Sequence, residues 1–345
     1  MKKIFTLFLV LFAFTCFSQI PAGYYDSAED LTNDELKTTL YNIIKNHTEY
    51  PYTDSETDVW DILKESDRDP DNSENVILLY TGWSVNAAQE YNSGSGWNRE
   101  HVWAKSRGDF GTDEGPGTDA HHLRPCDISV NSARNNRWFN YCTERYYDNG
   151  GTIPTDSYTS YTDWFWQPRD EVKGDVARMI FYMATRYEGE NGEPDLEVIN
   201  YIPSDKDTKE PIHAKLDALL DWNEEDPVDD FERNRNEVVY SYQHNRNPFI
   251  DHPEYVNAIY VTSTTGVGNN VDLTKIKIYP NPAKNILHVD SKNDFSVEFY
   301  SIIGEKVLTS KQSNIDIQNL KAGIYFVVVK DEIGRTLTCE KLIKD

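Results

Sequence analysis

The chain has 345 residues, long enough for two or three domains that each bury a core. Its formal charge is −24, with 58 acidic against 34 basic side chains, which excludes the uniformly basic surface typical of proteins that grip phosphate tightly. Beyond the N-terminus no apolar run approaches the roughly 20 residues a bilayer span requires, so a membrane-spanning body is excluded as well.

Lys2 and Lys3 precede an apolar run from Ile4 to Phe14, and Cys16, Phe17 and Ser18 follow where a cleavage site belongs. Residues 1–18 therefore read as a secretory signal peptide, implying export and a soluble mature chain. A lipid anchor at Cys16 fits less well, because Thr15 stands where a smaller residue is expected. Leu31 to His47 has helical spacing, with Leu36, Leu40, Ile43 and Ile44 on one face and Thr32 and Glu35 spaced as a capping box. A second helix is expected over Asp58 to Lys64 and a short strand over Val76 to Tyr80. Asn92 to Gly117 is rich in Gly, Ser and Asp and reads as loop and strand. Pro125 suits the first turn of a helix running to about Trp138.

The strongest helical pattern follows Pro168, where Val172, Val176, Met179, Ile180, Met183 and Tyr187 recur on one face. Further helices are expected after Pro211 and Pro227, and a last one, capped by Asp251, ends near Ile259. From Thr262 the texture changes. Residues 263–271 form a small-residue linker, and residues 272–345 alternate short apolar runs with turn residues, as a small β-sandwich requires. Residues 20–262 make one domain, α+β in class and mainly helical.

Signal removal leaves Cys126, Cys142 and Cys339, and export permits a disulfide. A Cys126–Cys142 bridge would close a short loop and stabilise by about 3 kcal/mol. No CxxC pair is present to suggest a zinc ribbon.

The chemistry concentrates between Trp97 and Phe139. Between Trp97 and Tyr146, Arg99, Lys105, Arg107, Arg124, Arg134, Arg137 and Arg145 face seven acids, so this stretch is locally neutral within an acidic chain. Hydrolysis of a phosphodiester needs a base for water and a cation to hold charge on the phosphoryl oxygens. Magnesium takes oxygen ligands, few of them from protein. Glu100, His101 and Asn131 supply that minimal set; His121 and His122 lie between them, and Arg124 and Arg134 are candidate phosphate holders. Glu100 and His101 are neighbours, whose side chains would point to opposite faces of a regular strand, so a strand end or bulge is expected there.

Three blocks, Arg99-Glu100-His101-Val102, Asp119-Ala120-His121-His122-Leu123-Arg124-Pro125 and Val130-Asn131-Ser132-Ala133-Arg134-Asn135-Asn136, occur in this order. On them the segment resembles the endonuclease I family of secreted bacterial nucleases, with looser similarity from about Tyr24 to Tyr260, including Asn245 to Glu254. The resemblance implies a ββα-metal (His-Me finger) core and His101 as general base. It further implies Mg²⁺ (with Ca²⁺ or Mn²⁺ as alternatives) held by Glu100 and Asn131. DNA, and RNA as a further substrate, would be cut to products with 5′-phosphate and 3′-hydroxyl ends. Few groups in the segment suit the reading of base edges, so cutting without sequence preference is expected, by a monomer. Some relatives carry several disulfides here, and an asparagine often stands at the position of His122, so this chain departs from them at both points. The tail resembles the C-terminal sorting domain of type IX secretion cargo, on Tyr279-Pro280-Asn281-Pro282-Ala283, Asn319 to Tyr325 and Glu340 to Lys344. It implies the type IX machinery as partner and a final location outside the cell.

Simpler readings of the same residues stand beside these. Asn131 suits a cap or turn, Arg124 and Arg134 suit ordinary salt bridges, and His101, His121, His122 and Cys126 suit a structural zinc. Trp97, Trp103, Trp138 and Phe139 read as core, with Trp103 also able to stack on a base. An exported adhesin or glycan-binding protein would need no base and no metal ligands, so the three blocks discriminate against it.

Overall fold

The computed structural model describes residues 20–261, 277–290, 295–301, 305–330 and 336–344. The signal segment 1–18 and the linker 263–271 lie outside the described residues. The chain divides into two compact units, Met1–Thr264 and Thr265–Asp345.

In the first unit, α1 (Asn33–Ile44) buries Leu36, Leu40 and Ile44 as its apolar spacing requires. Thr32 precedes it in extended conformation but makes no side-chain cap, and its hydroxyl instead accepts from Asn33 Nδ2 at 3.1 Å. The helix α2 (Val59–Ser66) is capped by Asp58, whose carboxylate accepts from the Asp61 amide. Three short strands follow as one antiparallel sheet, β1 (Arg68–Asp69), β2 (Asn72–Ile77) and β3 (Ser84–Asn86). The apolar run expected as a strand thus enters it only at Val76 and Ile77.

Then β4 (Trp97–His101) pairs antiparallel with β5 (Leu123–Asp127), placing Glu100 opposite Arg124 and His101 opposite Leu123. The helix α3 (Ile128–Arg134) starts immediately after and packs on both strands. Pro125 does not open this helix. Asp127 does, accepting from the amides of Ser129 and Val130, while Pro125 lies in a two-stranded sheet where a missing N–H is tolerated. The helix ends at Arg134 rather than Trp138, because Asn135 takes φ +52°.

A four-stranded sheet follows in the order β6 (Trp138–Phe139), β9 (Phe165–Gln167), β8 (Ile153–Ser160), β7 (Glu144–Asp148). The central helix α4 (Lys173–Arg186) is buried along its whole length and packs against α1 and the later helices α5 (Leu216–Glu225) and α7 (Pro248–Asp251). A short parallel pair, β10 (Glu197–Ile199) and β11 (Ile212–Ala214), precedes α5. Two charged side chains anchor the long helix α6 (Asp230–Gln243). Glu232 meets Arg178 of α4 through two bonds of 2.7 and 2.6 Å, and Arg235 reaches back to Asp67 and to the carbonyls of Ala120 and Leu123. The unit closes with α8 (Glu254–Tyr260), where Asp251 does not cap but binds Arg246 and Asn236. Helix and strand therefore share the unit, and its common core runs from Leu36 and Leu40 through Met179, Ile180 and Met183 to Leu219 and Phe249.

The second unit is all β. One sheet has the order β12 (Lys277–Tyr279), β13 (Ile286–Asp290), β16 (Asn314–Asp316), and the other β15 (Lys306–Ser310), β14 (Ser296–Ser301), β17 (Gly323–Lys330), β18 (Thr336–Lys344). Leu287 and Ile315 from the first meet Val297, Phe299, Val327 and Val329 from the second in one core.

The expected Cys126–Cys142 bridge is absent, and both are free thiols. Cys126 faces the buried main core, whereas the half-buried Cys142 thiol donates to the Asn140 carbonyl. Burial pushes both thiols up, that of Cys142 to about 12, so neither is a ready thiolate.

Candidate active site

The end of β4, the start of the following loop and the outer face of α3 enclose a groove of about 380 Å³, lined by Glu100, His101, Asn131 and Arg134 among others. Glu100 and His101 both line it from the last two positions of β4, with no register shift in the pairing with β5. On one flank, Glu100 Oε1 accepts from Tyr80 Oη at 2.7 Å and lies 3.3 Å from Arg134 Nη1. Its Oε2 has no partner among the described residues. Burial raises the Glu100 pKa, while Arg134 and the Tyr80 hydroxyl oppose that rise.

On the other flank, His101 Nε2 lies 3.0 Å from the Gly117 carbonyl, and the ring stacks on Tyr52. A carbonyl only accepts, so Nε2 carries the proton and Nδ1 keeps its lone pair. Burial, then the neighbouring His122, hold the His101 pKa well below the usual histidine range, with Lys105 and Arg99 adding to the effect. The ring is thus a neutral acceptor at ordinary pH.

Asn131 projects from α3 and donates Nδ2 to Asn98 Oδ1 at 2.9 Å and to the Arg99 carbonyl at 3.4 Å. The backbone carbonyl fixes which end of the amide faces the strand, leaving Oδ1 free among the described residues. One carboxylate oxygen and one amide oxygen, both unengaged beside a neutral imidazole, are the hard and sparse donor set suited to Mg²⁺. Among the described residues no group of three or more His, Cys, Asp or Glu side chains is arranged to hold a metal, so the four-ligand zinc reading fails. Arg99, Lys105 and Arg134 line the groove against the single carboxylate Glu100. The net charge of −24 is therefore reversed locally where a phosphate would lie.

Three expected substrate contacts are not at the groove. Arg124 is buried, paired with Asp67 and, at 3.1 Å, with Asp175. His121 Nε2 bonds the Asn245 carbonyl, and His122 Nε2 the Pro116 carbonyl. Both rings are fully buried, with pKa values pushed down to about 4 chiefly by burial. Arg134 does face the groove, but its guanidinium is taken up by Glu100 and the carbonyls of His101 and Val102, at 3.1 and 2.6 Å. These bonds brace the strand end. Trp103 is fully buried, its indole donating to the Arg107 carbonyl, so it stacks on no base. Residue patterns alone missed Tyr80, Gly117 and Asn98. Only Asn98 carried a signal, since it sits two residues before Glu100 on the same strand face.

A groove with one free imidazole nitrogen, two free oxygens and a local excess of cations defines a hydrolase for an anionic backbone. The profile of the Endonuclease I family matches residues 32–254, and that of the secretion system C-terminal sorting domain matches residues 277–345. The chain belongs to the endonuclease I family, is a nuclease, and carries a type IX sorting domain as its tail. It is 54% identical over 241 residues to the extracellular ribonuclease of Bacillus subtilis (strain 168), covering 69% of this chain and 78% of that protein. To the extracellular ribonuclease of Bacillus amyloliquefaciens it is 52% identical over the same length, with the same shares covered. The adhesin alternative gives way to an enzyme.

Proposed function

We propose that this is a secreted, divalent-metal-dependent endonuclease that hydrolyses RNA and DNA without sequence preference. The observation that carries the proposal is the His101 ring, tied through Nε2 to Gly117 with Nδ1 free, beside the free oxygens of Glu100 and Asn131. The names of its relatives speak for RNA, and the groove itself supplies its own base for water, so the 2′-hydroxyl that separates RNA from DNA is not needed.

Glu100 Oε2 and Asn131 Oδ1 would hold the cation, Mg²⁺ by donor chemistry with Ca²⁺ or Mn²⁺ as alternatives, which when bound neutralises charge on the phosphoryl oxygens. His101 Nδ1 takes a proton from water, the resulting hydroxide attacks phosphorus, and the 3′-oxygen leaves and is protonated from solvent. The products end in 5′-phosphate and 3′-hydroxyl. Tyr80 and Arg134 orient Glu100, Asn98 orients Asn131, and Gly117 orients His101. The backbone contacts available here read no base edges, which accounts for indifference to sequence. The signal segment 1–18 and the sorting tail 272–345 would carry the nuclease domain out of the cell.

The test is digestion of circular plasmid and of a structured RNA by the purified mature chain, with Mg²⁺ or with EDTA, followed by analysis of the ends. Both substrates should be cut at many sites with Mg²⁺ and neither with EDTA. RNA products ending in a 2′,3′-cyclic phosphate would overturn attack by water.

A further inference from the structure

A shelf of rings and cations borders the groove on the side of Asn136. Tyr161, in the turn between β8 and β9, is 61% exposed. Its neighbour Trp164 holds a φ of +62°, a region that large side chains rarely occupy. The indole Nε1 donates to Asn136 Oδ1 at 2.7 Å, and the Trp164 carbonyl accepts the Trp138 amide at 3.0 Å. Asn136 itself lines the catalytic groove, so the shelf begins one side chain away from it. The Arg137 guanidinium lies 4.9 Å from the Tyr161 ring centre and 4.0 Å from that of Trp164, and Lys206 Nζ lies 4.2 Å from the latter.

Neither cation has an acidic partner among the described residues. Arg137 donates to the carbonyls of Ala133 and Arg134, and Lys206 is exposed. Tyr161 is exposed and Trp164 half-buried, while Arg137 is buried beneath the rings and Lys206 exposed beside them; in a chain with 58 acidic side chains, an exposed ring backed by cations without carboxylate partners fits an anionic, aromatic ligand. Of the nearby acids, Asp163 accepts from Ser160 Oγ and Asp205 from the Asp207 amide, while the Asp207 carboxylate, next in sequence to Lys206, is exposed. The positive φ at the half-buried Trp164 is backbone strain of the kind found at ligand clamps.

We propose that Tyr161 and Trp164, flanked by Arg137 and Lys206, form a stacking subsite for an unpaired nucleobase of the strand being cut. The proposal rests on the nuclease reading above and adds a substrate preference to it. An exposed ring stacks only on a base whose face is open, and duplex bases cover one another. The shelf therefore selects single-stranded and looped segments, and Lys206 takes a phosphate beside the stacked base.

The test measures binding of a fluorescein-labelled single-stranded oligonucleotide and of a hairpin duplex of equal length by fluorescence anisotropy, using the full mature chain in EDTA. The wild type should bind the single strand more tightly than the hairpin. Tyr161→Ala should weaken single-strand binding about tenfold, within the range for loss of one stacked base, and hairpin binding less than twofold. Tyr161→Phe, which keeps the ring, should restore binding, and single-strand binding should quench Trp164 fluorescence. Equal wild-type affinity for the two ligands, or an unchanged single-strand affinity in Tyr161→Ala, overturns the subsite. Equal losses on both ligands, or no recovery in Tyr161→Phe, do the same. Failure of the nuclease reading shows elsewhere, as absence of cleavage by the wild type when Mg²⁺ is supplied.

Discussion

The carbonyl of Gly117 holds His101 Nε2 at 3.0 Å in a loop that leaves no room for a side chain at residue 117. A Cβ built there would stand 2.5 Å from the Asp113 carbonyl and 2.9 Å from the Thr112 Cα, both rigid backbone atoms. Gly117→Ala must therefore move the loop and with it the acceptor that fixes the imidazole. The expected loss is about 10- to 100-fold in kcat, the usual cost of removing an orienting partner of this kind. Substrate affinity should change little, because Gly117 is not among the residues that line the groove. Steady-state kinetics on a labelled oligonucleotide check this, and an unchanged kcat would remove Gly117 from the orienting role.

His101 is expected to act by taking a proton, so its replacement should be read in the pH profile as well as in the rate. His101→Ala should cut at least about 100-fold more slowly, as loss of a general base does, while binding oligonucleotide almost normally. Because burial and His122 hold the ring's pKa well below the usual histidine value, the wild-type rate should already be on its plateau near pH 6.5. It should fall only at more acidic pH, and the variant should lack that limb. If the variant's loss is explained by failure to bind metal, His101 is a ligand and not the base.

Glu100 and Asn131 are expected to share one cation through Oε2 and Oδ1. Glu100→Gln and Asn131→Ala should each weaken Mg²⁺ dependence by about 10-fold or more, seen as a rightward shift in the Mg²⁺ titration of activity. Calorimetry of Mg²⁺ binding to the full chain gives the same comparison without turnover. Asn98→Ala should act in the same direction but more weakly, since Asn131 keeps its second acceptor, the Arg99 carbonyl. Full activity of both ligand variants at limiting Mg²⁺ would sink the assignment.

Much of this site was legible because its parts are local. Glu100 and His101 are adjacent and Asn131 follows in a short block, so residue types and order sufficed to select them. What orients them was not legible. Tyr80 and Gly117 reach the site through the fold, and Arg124 looked like a phosphate ligand because its partner Asp67 lies 57 residues away. The fold divides in the same manner. The buried stripe of α4 is unmistakable, and the tail's alternation gave its sandwich. By contrast, β7 and β8 carry few apolar residues in Glu144–Ser160, and the strand around Pro125 is too short for its apolar pattern to outweigh the helix-opening signal of a proline.

The sorting tail forms its own compact unit with a separate core, so its removal should leave the catalytic unit folded. Deleting residues 272–345 should preserve nuclease activity in cell extracts and retain the protein in the periplasm. Fractionation of cells expressing the truncated chain checks this. Normal appearance of the truncated enzyme in the medium would show that the tail is not the address.

Stability should depend on pH through the buried histidines. His47, His101, His121, His122 and His213 all have pKa values lowered chiefly by burial, those of His121 and His122 to about 4. In the unfolded chain each titrates near 6.5. Between these values the unfolded state binds protons that the folded state refuses, so the free energy of unfolding falls as pH drops from about 6.5 towards 4 and is insensitive to these groups above 6.5. Each of His121 and His122 contributes on the order of 3 kcal/mol across that window. Asp119 acts lower. Burial works against its charge, but His47, His121 and the Gln243 amide hold its pKa below the usual carboxylate range, so its contribution fades only as pH falls below about 4. The urea midpoint should therefore decline steadily between pH 6.5 and 4. His122→Asn, which removes one titrating ring from the buried cluster, should make that decline shallower. A midpoint that stays flat across the window, or an unchanged slope in His122→Asn, would show that these rings do not stay neutral in the folded protein.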